Sequence, residues 1–71
     1  MEPKPKEKYK HFKGGVYEIV CIALDCENPK KKLVVYKNID DGKIWVRELN
    51  DFIGEKVFDD ETKVRRFVKI E

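Results

Sequence analysis

With 71 residues the chain is too short for more than one domain, and its core must be small relative to its surface. Hydrophobic residues make up 41% and charged residues 42%; the apolar share excludes wholesale disorder, and the abundance of both signs describes a solvated surface. Sixteen basic against 14 acidic side chains leave a net charge of +2, which gives no bulk-charge argument for nucleic acid, and no run approaches the about 20 apolar residues of a membrane helix.

Residues 1–8, MEPKPKEK, hold two prolines and no apolar run, and are predicted to form a flexible, solvated tail ahead of a single domain over 9–71. They lack the apolar segment of a secretory signal, so the expected compartment is the cytoplasm. A short strand is predicted over Tyr9 to Lys13, ended by Gly14-Gly15, a pair suited to the positive φ of a tight turn. Val16 to Leu24 is the longest strand. It is apolar at both parities except Glu18, which fits a bent strand covered in part on both sides. Cys21 in that run is expected to be buried as a small hydrophobe.

Asp25 to Lys32 is a loop with Asn28-Pro29 at a turn and Lys30-Lys31-Lys32 keeping its tip wet. Leu33 to Ile39 and Lys43 to Glu48 are the third and fourth strands, joined by the hairpin signal Asp40-Asp41-Gly42. Leu49 to Gly54 reads as one short helical or 3₁₀ turn with Phe52 and Ile53 pointing inward. Glu55 to Phe58 and Val64 to Ile70 form a last hairpin around Asp59-Asp60-Glu61-Thr62. The class is therefore mainly β: a small barrel of about five or six short strands, closed so that no sheet edge is exposed.

Side chains alternate along a strand, so Ile44 and Val46 share one face of the fourth strand and Trp45 and Arg47 the other. The first face is predicted to be core. The second sets the only tryptophan beside a guanidinium, a combination that stacks on a planar ligand and pairs with its negative charge. The alternative is a packing patch, with Arg47 paired to a carboxylate such as Glu18. His11 and Lys13 share a face of the first strand, and Tyr17 and Tyr36 offer aromatic floor. The expected ligand site is thus His11, Lys13, Tyr17, Tyr36, Trp45 and Arg47. A second candidate surface, for nucleic acid, takes Lys30, Lys31, Lys32, Lys63, Arg65 and Lys69; Asp59-Asp60-Glu61 beside it weakens its field.

Chemistry of other kinds finds little footing. There is no serine, and no cysteine adjoins His11, so a nucleophile–base pair has no sequence support. Two cysteines and one distant histidine do not make a zinc site, and neither acidic turn has the ligand spacing of a calcium loop. We expect no cofactor, no metal, no membrane and no enzyme. The expected partner is an unknown ligand, a protein or a nucleic acid, with a homodimer through an exposed edge strand as a further alternative.

The segments Tyr9-Lys10-His11-Phe12-Lys13-Gly14, Tyr17-Glu18-Ile19-Val20, Ala23, Val34-Val35-Tyr36, Trp45-Val46-Arg47, Phe52 and Arg66-Phe67 form a combined pattern from about Tyr9 to Ile70. That pattern resembles the small bacterial and phage family catalogued as domain of unknown function 1653. The resemblance implies an SH3-like barrel and a short stand-alone protein or appended module, without an assigned activity. This chain departs from the pattern at Glu48, where proline is usual, and in its lysine-rich loop at Lys30–Lys32.

Overall fold

The computed structural model describes residues 2–71. Seven strands and one short helix follow in the order β1 (Lys8–His11), β2 (Val16–Leu24), β3 (Lys32–Asn38), β4 (Ile44–Glu48), α1 (Leu49–Ile53), β5 (Glu55–Val57), β6 (Lys63–Arg65) and β7 (Phe67–Lys69). The fold is mainly β, as the sequence predicts. The sheets, however, are open. Five strands lie in the order β4-β3-β2-β1-β7, and β5 pairs with β6 as a separate hairpin. All pairs are antiparallel.

The expected closed barrel is corrected by the path of the chain after β4. Glu48 leads directly into α1, so the chain turns off the sheet instead of laying a strand beside β4. The predicted last strand is also split at Arg66, whose N–H donates to the Gly54 carbonyl at 3.1 Å and whose carbonyl accepts from Phe12 at 3.0 Å. β6 thus stays with β5 while β7 joins β1. Side chains, not a ladder, cover the concave face. Phe52 from α1 stacks on Phe67 of β7, ring centres 4.0 Å apart and planes 10° apart, and meets Tyr9 and Tyr36 edge-on at 5.3 Å each.

The buried core is Ile19, Val34, Tyr36, Phe52 and Phe67, with Tyr9, Tyr17, Ile22 and Leu49 packed against it. Its order on β2 depends on one irregularity. Ile19 faces Tyr36 and Cys21 faces Val35, so Val20 is an extra residue between them. An inserted residue shifts the alternation of faces by one and sharpens the local twist. Odd positions Tyr17 and Ile19 point into the core before the bulge, and even position Ile22 after it. This explains why both parities of β2 are apolar. It also turns Cys21 outward: both cysteines are exposed free thiols, so the expected burial of Cys21 does not occur.

The β1–β2 turn uses Gly14 and Gly15 at φ of 101° and 87°, backbone that other residues rarely adopt. The hairpin after β3 is tied by Asn38 Oδ1, which accepts from Asp40 and Asp41 at 2.8 and 3.2 Å. Residues 2–7, expected as a loose tail, instead lie against the sheet. Lys6 N–H donates to the Ile19 carbonyl at 2.9 Å, Ile19 N–H returns a bond to Glu7 at 2.8 Å, and Pro3 is buried.

Candidate functional site: a basic cluster around His11

Residues directly opposite in an antiparallel pair project to the same side of the sheet. Trp45 stands opposite Tyr36, and Arg47 opposite Val34. Trp45 and Arg47 therefore lie on the concave, core-side face, and Ile44 and Val46 on the other. The shared face of Trp45 and Arg47 is as predicted, but the expected burial of Ile44 and Val46 is reversed: they are 55% and 58% exposed. Alternation fixes which residues share a face; it does not say which face is inside.

His11 sits at the end of β1, opposite Phe67. Its ring packs on Phe12 at 4.5 Å, edge-on to Phe67 at 4.8 Å and to Tyr17 at 6.4 Å. The turn that follows reaches back to it: Lys13 N–H donates to His11 Nδ1 at 3.1 Å. An imidazole accepting at Nδ1 is neutral and carries its proton on Nε2. Burial lowers the proton affinity of His11 first, and the positive charges of Arg47, Lys13 and Arg66 lower it further. Arg47 of β4, Lys13 of the β1–β2 turn and Arg66 at the break between β6 and β7 thus all act on one histidine.

Neither arginine is neutralised. Among the described residues, the ion pairs are Lys8–Glu71 at 3.7 Å, Lys31–Glu48 at 3.6 Å, Lys69–Glu7 at 3.1 Å and Lys32–Glu2. The predicted alternative of Arg47 paired with Glu18 does not occur: Glu18 faces Lys37 on the opposite side of the sheet. The Nε atoms of Arg47 and Arg66 are both buried without a hydrogen-bond partner. A buried N–H donor without an acceptor costs free energy until water or a ligand supplies one.

Of the six predicted ligand residues, Lys13 and Arg47 act on His11 through their charge, and Tyr17 is half-buried beside it. Tyr36 is corrected to core: its ring is packed among Tyr17, Phe52 and Phe67 at 5.3 to 5.4 Å. Trp45 is 49% exposed at the sheet edge and contacts no other ring among the described residues. Sequence reasoning missed Arg66. Its position inside an apparent strand hid the break at which its carbonyl accepts from Phe12 and its charge acts on His11; the doubled Arg65-Arg66, with Arg66 at the apolar parity of Val64 and Val68, was the available signal.

The six basic residues of the second candidate surface do not converge. Lys30, Lys31 and Lys32 line a concavity of about 420 Å³ together with Glu48. Arg65 and Lys69 line another, of about 490 Å³, with Glu2, Glu7 and an aromatic floor of Tyr9, Phe52 and Phe67. Lys63 lines neither. Lys31, Lys32 and Lys69 are each matched to a carboxylate. No group of three or more His, Cys, Asp or Glu side chains gathers among the described residues, and no helix there is long and apolar enough to cross a membrane.

A family model described as "Protein of unknown function (DUF1653)" matches residues 7–69. No curated protein and no solved structure matches the chain.

Proposed function

The chain belongs to the DUF1653 family, to which no function is attached, and from its own residues we propose that it is a non-catalytic binding module for a small anion, held by Arg47, Arg66, Lys13 and the Nε2–H of His11. The observation that carries this is the pair of arginines: both keep a buried Nε without an acceptor and neither has a carboxylate within ion-pair distance. A guanidinium offers its donors in a planar fork that fits carboxylate or phosphate oxygens. Tyr17 and Phe12 beside His11 favour an anion that carries a flat ring. A long nucleic acid is supported less well, because the remaining lysines are interleaved with acids.

The test is a chemical-shift titration with inorganic phosphate and with adenosine monophosphate at low salt. The expected result is saturable shifts confined to His11, Lys13, Arg47 and Arg66, larger for the nucleotide, and abolished in Arg47→Gln and Arg66→Gln proteins that still melt cooperatively. Shifts that are absent at millimolar phosphate, or that centre on the lysine loop, would overturn the proposal.

A further inference from the structure

β4 is an edge strand: among the described residues it pairs with β3 and with nothing else. Exposed edges are normally blunted by lysine, proline, a bulge or extreme shortness. The opposite edge follows that rule. β7 has three residues, carries Lys69 in an ion pair with Glu7, and is flanked by the bond from Ile70 N–H to the Lys8 carbonyl at 2.9 Å. β4 does not. It has five residues in regular register, and Ile44, Trp45 and Val46 are 55%, 49% and 58% exposed in succession.

We propose that β4 is the two-fold interface of a homodimer, in which the β4 strands of two copies pair antiparallel about Val46 and join their five-stranded sheets into one. The charge pattern of the strand selects both partner and register. A two-fold axis perpendicular to the joined sheet keeps the concave faces on one side, so odd positions meet odd and even meet even. Centred on Val46, the pairing sets Val46 against Val46 of the second copy, and Trp45 against Arg47 of the second copy, twice over. Opposed residues lie about 5 Å apart, within the about 6 Å reach of a guanidinium over an indole. Slipping the register by two residues one way sets Arg47 against Lys43; slipping it the other way sets Arg47 against Arg47. Of these three registers, the Val46-centred pairing alone avoids like charges face to face. It gives the exposed indole a partner that its own chain does not supply, and an isologous contact of this kind closes at two copies.

This inference rests on the strand edge; it shares Arg47 with the anion-binding proposal, and its readout, the mass of the assembly, is separate. Sedimentation equilibrium over a wide concentration range measures mass for the wild type, for Val46→Lys, and for Val68→Lys, a control on the same sheet face at the far edge. The interface is small, so association is expected to be weak and concentration-dependent. The expected result is that wild type and Val68→Lys approach twice the monomer mass, while Val46→Lys stays monomeric. Because a variant can fail to fold, amide exchange of the wild type at low and high concentration supplies a second measurement, with added protection confined to β4. A wild type that stays monomeric throughout, a Val46→Lys protein that associates as well as wild type, or protection that rises elsewhere would each overturn the proposal; the first would leave the edge to a strand of another protein.

Discussion

Replacing Arg47 by methionine tests whether the basic cluster is held against its own folding interest. Methionine keeps an unbranched stem of similar reach, so the apolar packing under the guanidinium is largely retained. What is removed is a buried Nε–H without an acceptor and one of the cations beside His11. An unmet buried donor costs about 1–3 kcal/mol. Arg47 is half-buried and His11 is neutral at this pH, so relief of its repulsion with the other cations is screened and adds only about a few tenths of a kcal/mol. The net expectation is a gain of about 1 kcal/mol, or roughly 4–8 °C in Tm for a domain of this size. Urea denaturation at neutral pH and low salt, with and without millimolar phosphate, reads both effects. Phosphate should raise the wild-type midpoint by mass action and leave the variant where it is. If Arg47→Met is instead destabilised by about a kilocalorie or more, and phosphate stabilises both proteins equally, Arg47 is a structural residue and holds no anion.

Other consequences follow from the same structure. His11 has a lowered proton affinity in the folded state, so folding is penalised as pH falls through the ordinary imidazole value near 6.5 and the penalty is complete below the folded value. Bound sulfate, whose charge is constant over this range, should raise the His11 pKa, and its affinity measured by calorimetry should be higher at pH 6 than at pH 7.5. Phe52→Ala removes the ring stacked on Phe67 and should cost about 3–5 kcal/mol, which is near the whole stability of so small a core; circular dichroism at 25 °C should find it largely unfolded, and Phe52→Leu folded with a lowered Tm. Gly54→Ala would set a Cβ 2.8 Å from the Asn50 carbonyl oxygen, so α1 must shift, and denaturant melts should read a loss of about 1–3 kcal/mol. The Glu7 carboxylate is held below its ordinary range by the Lys4 N–H and by Lys69. It contributes stability above pH about 4.5 that is lost as the pH falls through the folded value, so Glu7→Gln should flatten the acid limb of the melting profile.

The elements themselves were legible in the sequence. Val16–Leu24 forms the strand that its β-branched run predicts. The turn at Gly14-Gly15 and the Asp-Gly hairpin fall where positive φ is needed, and Phe52 turns inward from the short helix. These features depend on residues near one another in the chain, where backbone propensity and alternation act directly. The pairing of Trp45 with Arg47 on one face was legible for the same reason; the expected strand over Tyr9 to Lys13 stops at His11, so Lys13 meets His11 through the backbone of the turn and not across a shared strand face.

Three things were decided only by tertiary structure. The bulge at Val20 reverses the faces of β2 partway along, so no single parity rule could place Cys21. Ile44 and Val46 were as plausible a core face as Trp45 and Arg47, because the choice depends on where α1 and Phe67 pack, not on the strand's own residues. The turn of the chain into α1 after Glu48 left the sheet open and the outer edge of β4 without a neighbour, and the break at Arg66 left a second arginine whose charge acts on His11. Local sequence sets which side chains travel together. Long-range packing of a few aromatic rings sets which way they face, and so where the unmatched charges collect.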